Sequence, residues 1–169
     1  MKITDKFVMF FRKSKLGNWV RVPGGISVRL GDRVVVLPTS EHVFMALKAY
    51  YFKDFNTLEK IIATESPKEA KKLGRQVSGF SEDEWEKQRE ISMWQAIKLR
   101  SVFDSGFKDE LLKTEYDNKE FVECNPYDFV WSCGLSEEDP NALCEDNWKG
   151  LNLLGKLLTK LRNELCQTY

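Results

Sequence analysis

The pattern of this chain changes at Pro38. Before it, residues 7–11, 26–30 and 33–37 are short aromatic or β-branched runs, separated by Gly17-Asn18, Pro23-Gly24-Gly25 and Gly31-Asp32. That is the composition and punctuation of strands joined by tight turns. The Gly31-Asp32 pair between two alternating runs predicts a two-residue hairpin, because both residues tolerate the positive φ such turns require. After Pro38, helix-start signals dominate. Thr39 or Ser40 caps a helix whose first turn carries Glu41, where a carboxylate suits the positive end of the helix dipole. Ser66-Pro67-Lys68-Glu69 is a capping box with proline at the first helical position, and Ser81-Glu82-Asp83-Glu84 opens a long helix toward Phe103. The last helix carries Leu154, Leu157, Leu158, Leu161 and Leu165 on one stripe, with Gly150 and Gly155 permitting close approach near its start. Between these helices a strand is predicted over 121–124, then an Asn-Pro-Tyr-Asp turn and an irregular surface loop over 133–147. The expected fold is α+β: one helix-dominated domain over residues 1–169 with a small antiparallel β portion near the N-terminus.

Length and charge narrow the function classes. A chain of 169 residues has room for one sizeable core and not for two ordinary domains. Lys plus Arg and Asp plus Glu number 26 each, so the broad positive field of a non-specific nucleic-acid binder is missing and any such contact is expected to be local. No apolar run approaches the roughly 20 residues that span a bilayer, and no apolar signal-peptide core follows the first residues, so a cytoplasmic protein with no membrane contact is expected. Cys124, Cys133, Cys144 and Cys166 are too widely spaced for a Cys-x-x-Cys knuckle, and His42 is the sole histidine. Reduced thiols, no metal centre and no cofactor are therefore expected. No phosphate-cradling glycine loop precedes a helix.

Three stretches carry candidate chemistry. On a helix, Glu41, Met45 and Lys48 stand on one face at spacings of four and three, so a carboxylate and an amine share a wall. The ordinary reading of such a pair is solvated surface charge, and a lone His42 is ordinarily a hydrogen-bonded structural residue. Asp128 and Trp131 follow a strand end, where a rigid element supports a site. The ordinary alternative makes Asp128 a turn former and Trp131 a core residue. Ala70-Lys71-Lys72-Leu73-Gly74-Arg75 is a basic helix end with Gly74 reading as the C-cap; its cations suit either the dipole or a phosphate.

In chain order, Ser40-Glu41-His42-x-Phe44-x-Ala46-x-Lys48-Ala49 is followed by Ser66-Pro67-x-x-Ala70-Lys71-x-x-Gly74-Arg75. Then come Val122-Glu123-x-x-Pro126-x-Asp128-x-x-Trp131 and Gly150-x-Asn152-x-Leu154-Gly155-x-Leu157-Leu158-x-x-Leu161-Arg162. Together they resemble the successive signatures of the NADAR (YbiA-like) family over nearly the whole chain. The resemblance implies a compact helix-rich α+β hydrolase of an N-glycosidic bond, with members acting on ADP-ribose attached to guanine and others on phosphorylated intermediates of riboflavin synthesis. Carried over by position, Glu41, Asp128 and Lys48 match the catalytic residues. Asn18, Trp19, His42, Arg75, Trp85, Trp131 and Asn152 are expected to bind substrate. Three departures stand out: Gly17 where serine is usual, Ser132 where glycine is usual, and a longer acidic loop before Gly150. The loop over 135–147 either points away from an anionic substrate or is a contact surface for a protein partner. The departures also leave open a non-catalytic ADP-ribose-binding or protein-interaction module.

The implied chemistry builds positive charge on ribose and negative charge on the leaving base, so a carboxylate near C1′ and a donor at the base are needed. Glu41 and Asp128 supply carboxylates, without an order between them. Lys48 is expected either to attack the opened sugar as a desolvated amine, forming a Schiff base, or to clamp a phosphate or hydroxyl as a cation.

Overall fold

A computed structural model describes residues 1–11 and 14–167. Its backbone clusters into two compact units, a central one (Asn18–Ser105) and one built from both ends of the chain (Met1–Gly17, Gly106–Tyr169).

In the central unit, β3 (Ile26–Leu30) and β4 (Arg33–Leu37) form the predicted hairpin, with Leu30 paired to Arg33 across the Gly31-Asp32 turn. Only Gly31 takes a positive φ, +62°, so glycine at the first central position carries the reversal, as in a type II′ turn. Four helices follow: α1 (Ser40–Tyr51), α2 (Phe55–Ala63), α3 (Pro67–Gly74) and α4 (Glu82–Phe103). Each begins at a residue whose side chain accepts a backbone N–H of the first turn. Thr39 accepts from His42, Asp54 from Thr57, Ser66 from Glu69 and Ser81 from Glu84, each cap being worth about 1 kcal/mol. Helix α1 packs on α2, α3, α4 and the hairpin, and is buried along most of its length.

Gly74 is not the C-cap that its place at the helix end suggests. Arg75 caps α3 with right-handed backbone, and Gly74 lies inside the helix where a Cβ would stand 2.0 Å from the Met45 sulfur. The glycine lets α3 approach α1 at the Glu41–Met45–Lys48 face.

The second unit holds β1 (Lys2–Ile3), β2 (Phe7–Phe10), β5 (Glu120–Glu123), α5 (Ser105–Leu111, counted here from Gly106) and α6 (Leu153–Gln167). Strand β2 pairs antiparallel with β1 and parallel with β5, Val8 opposite Phe121 and Met9 opposite Val122. The small β portion is thus antiparallel only in part, because a strand from the end of the chain joins the N-terminal one. Phe7, Val8, Met9 and Phe10 are all buried, as a strand covered on both faces requires. Helix α6 lays Leu154, Leu157, Leu158 and Leu161 into this core, with Leu165 half-buried. Gly155 allows α6 to meet β5, since a Cβ there would stand 2.1 Å from the Phe121 carbonyl oxygen. The 133–147 stretch contains two short 3-10 turns, Pro140–Leu143 and Glu145–Asn147. It is not wholly surface: Cys133, Leu135 and Ala142 join Phe7, Met9, Val122 and Cys124 in one apolar cluster roofed by Trp148.

Candidate active site

The first turns of α1 hold the densest set of expected site residues. Glu41 is 5% exposed and Lys48 9%, so the reading as solvated surface charges fails: both side chains leave water. They stand seven helical steps apart, about 10 Å along the axis. The backbone N–H of Glu41 donates to the Asn18 carbonyl at 3.1 Å, which fixes Asn18 against the helix start. The Asn18 amide donates to the Met93 sulfur at 3.3 Å, while its Oδ1 is buried without a hydrogen-bond partner among the described residues. Ser40 Oγ is likewise buried without one.

Lys48 lies among rings. Its Nζ is 4.2 Å from the centre of Phe80 and 5.2 Å from that of Trp85. Trp85 is itself held by Phe44 at 5.4 Å and Phe52 at 6.2 Å. Burial lowers the Lys48 pKa from the ordinary lysine range; the Glu82 carboxylate opposes that and the Arg75 guanidinium reinforces it. Arg75 is exposed at the end of α3, and Gly74, seated on Met45, brings it near.

His42 has different neighbours. It is fully buried, its Nδ1 2.8 Å from Thr39 Oγ1, with Nε2 lacking a hydrogen-bond partner among the described residues. Burial lowers its pKa, against the Thr64 backbone and Glu65, with Arg21 adding to the lowering. Trp19 is 38% exposed.

Asp128, Trp131 and Asn152 belong to the other unit. Oδ1 of Asp128 accepts the backbone N–H of Val130 at 3.1 Å and of Trp131 at 2.9 Å, the Asx geometry of a turn former. Trp131 is half-buried. Asn152 is buried at φ +51° and spans β5, accepting from the Glu123 N–H at 3.0 Å and donating to the Phe121 carbonyl at 3.1 Å. Ser132, which departs from the family pattern, is buried and structural. Its hydroxyl accepts from the Asn125 N–H at 2.7 Å and donates to the Asn125 carbonyl at 2.9 Å, closing the base of the Asp128 loop.

Phe80, absent from the expected site set, covers the amine. A signal for it exists: with Ser81 as N-cap, Phe80 and Trp85 occupy the two positions of a hydrophobic staple, and both rings face Lys48. Among the described residues, no three or more His, Cys, Asp or Glu side chains converge to hold a metal ion, and no helix is long and apolar enough to cross a membrane.

The chain is similar to enzymes of one named class, the N-glycosidases. That of Acanthamoeba polyphaga mimivirus is 31% identical over 167 residues, 95% of this chain and 97% of the relative. The chloroplastic riboflavin biosynthesis protein PYRR of Zea mays is 31% identical over 78% of this chain and 20% of its own length. The NMR structure of the E. coli protein YbiA superposes with a TM-score of 0.71 at 26% identity, covering 99% of this chain and 89% of that one. The profile of the NADAR domain matches residues 10–166. The chain belongs to the NADAR domain family.

Proposed function

We propose that this NADAR-domain N-glycosyl hydrolase removes ADP-ribose from ADP-ribosylated guanine in nucleic acid, reversing the modification in the cytoplasm, with residues 1–169 working as one domain. The observation that carries the reading is Lys48, an amine buried beneath Phe80 and Trp85 with its pKa lowered, on the same helix face as the buried Glu41. A neutral amine is a nucleophile where an ordinary ammonium is not. In this mechanism the C1′–N bond breaks, guanine leaves with a proton, and Lys48 holds C1′ of the opened sugar as an imine. Water then hydrolyses the imine, giving the sugar its oxygen and restoring the amine. Glu41 stabilises the cationic sugar or moves the proton.

Asn18, Trp19, Arg75, Trp85 and Trp131 serve as substrate contacts, Arg75 meeting phosphate and the exposed ring of Trp19 a base. His42, at the α1 cap, and Asn152, hydrogen-bonded to β5, complete the proposed substrate-binding set. Asp128 contributes a carboxylate, tested by its own substitutions below. No cofactor is required. Equal numbers of acidic and basic residues fit recognition of the modified nucleotide itself with few contacts along the strand.

The test is mass spectrometry of an oligonucleotide carrying ADP-ribose on guanine, incubated with wild type, Glu41→Ala and Lys48→Ala, each shown folded by circular dichroism. Restored guanine with wild type alone is expected. A second reading, cleavage of phosphorylated riboflavin-pathway intermediates, is favoured by the likeness to the Zea mays protein. Small phosphorylated ribosylamines assayed beside the oligonucleotide separate the two. Stoichiometric ADP-ribose binding with no product from either substrate would replace both with a binding module.

A further inference from the structure

Two buried thiols lie outside the chemistry described so far. Cys124 follows β5 and Cys133 lies beyond the turn that carries Asp128 and Trp131, and their sulfurs stand 4.0 Å apart. Both are free cysteines, 1% and 0% exposed. Their backbones are already anchored. Cys124 N–H donates to the Phe10 carbonyl at 2.8 Å, Cys133 N–H donates to the Glu123 carbonyl at 2.9 Å, and the Ser132 hydroxyl ties the residues between them. Bonding distance for two sulfurs is about 2.0 Å, so about 2 Å of approach is needed to join them.

One of the two sulfurs borders a cavity. Cys124 forms part of the wall of a cavity of about 230 Å³ shared with Phe11, Pro126, Tyr127 and Glu137, and rim residues Tyr127 and Glu138 are exposed. That volume admits a small hydroperoxide. The two sulfurs lie within hydrogen-bond reach of each other, and that pairing draws the Cys133 thiol down and pushes the Cys124 thiol up. Oxidant meets Cys124 from the cavity, and Cys133, the more acidic of the two, supplies the thiolate that attacks the oxidised sulfur.

We propose that Cys124 and Cys133 form a reversible dithiol–disulfide site, oxidised by small hydroperoxides, that covalently closes the base of the loop over residues 125–132. Both S–H bonds break and one S–S bond forms. The two electrons and two protons go to the peroxide O–O bond, which with hydrogen peroxide leaves as two waters. Cys144 and Cys166 are exposed and react separately. The site is independent of the substrate reading above, since it concerns only the sulfur pair and its loop.

The experiment uses the full chain carrying Cys144→Ser and Cys166→Ser, treated folded with hydrogen peroxide, alkylated after unfolding, digested and weighed. The expected product is a Cys124–Cys133 cross-linked peptide lighter by two hydrogens, returned to two alkylatable thiols by dithiothreitol. A Cys133→Ala variant is expected to give no link and to carry Cys124 on to sulfenic or sulfinic acid. Two thiols that still alkylate fully after peroxide overturn the proposal. So does a link that forms only when peroxide is added to the urea-unfolded chain.

Discussion

The Lys48 ammonium nitrogen stands 4.2 Å from the centre of the Phe80 ring, over a residue that is itself 41% exposed. A cation gains about 0.5–2 kcal/mol from such a ring face, yet removal from water acts against the charge and is the largest influence on this amine. The outcome is an amine whose pKa is lowered behind an aromatic cover that solvent can reach.

Lys48→Met is expected to abolish glycosidase activity, by at least about 10²–10⁴-fold, without lowering the melting temperature. An unbranched apolar chain of similar length replaces an amine that burial disfavours. Because the folded pKa is lowered, the unfolded chain holds the extra proton between the folded value and about 10.4. Wild-type stability therefore rises with pH through that window, and the variant lacks the rise. Denaturant midpoints of both proteins across alkaline pH check it. Lys48→Arg keeps the charge and loses the nucleophile, and it is expected to be inactive.

Phe80→Ala uncovers the amine and raises its pKa, so less of it is neutral at pH 7. Activity at neutral pH is expected to fall by about 10-fold for each unit of upward shift and to recover as pH rises. A pH–rate profile of the variant beside wild type reads the displacement. A uniform loss at every pH would instead mean that Phe80 contacts substrate.

At Asp128, charge and turn geometry are separable. Asp128→Asn keeps an oxygen for the Val130 and Trp131 N–H groups, so stability is expected within about 0.5 kcal/mol of wild type, with activity lost if the carboxylate reacts. Asp128→Ala removes the acceptor too and is expected to lower stability by about 1 kcal/mol. Urea melts and turnover on the same two variants distinguish the roles.

Gly155→Ala places a methyl 2.1 Å from the Phe121 carbonyl oxygen and 2.5 Å from the Asn152 amide. The higher helix propensity of alanine, worth about 1 kcal/mol, does not offset displacing α6 from β5. A net loss of about 1–3 kcal/mol is expected, seen as a lower urea midpoint with the helical signal intact. Unchanged stability would show that α6 shifts freely.

Much of this was legible locally. The caps at Thr39, Ser66 and Ser81, the hairpin at Gly31 and the leucine stripe of α6 act within a few residues, and each was found where its sequence signal stood. The ends misled where a residue's role depends on something distant. Gly74 carries the signature of a helix cap and instead makes room for Met45. Ser132 reads as a departure from a family pattern and is the clasp of a loop.

The sequence carries the hairpin, the starts of α1, α3 and α4, the strand β5 and the leucine face of α6, because capping, turn and period-3.6 preferences belong to a few neighbouring side chains; β1, α2 and α5 have no such signal in that reading. The state of those side chains is set by the folded chain. The Glu41 and Lys48 that would be solvated on an isolated helix are buried, Phe80 covers the amine, β2 pairs in parallel with β5, and the sulfurs of two cysteines nine positions apart in sequence stand 4.0 Å apart. Burial and charge environment are set by groups brought together from far along the chain, and local pattern carries no record of them.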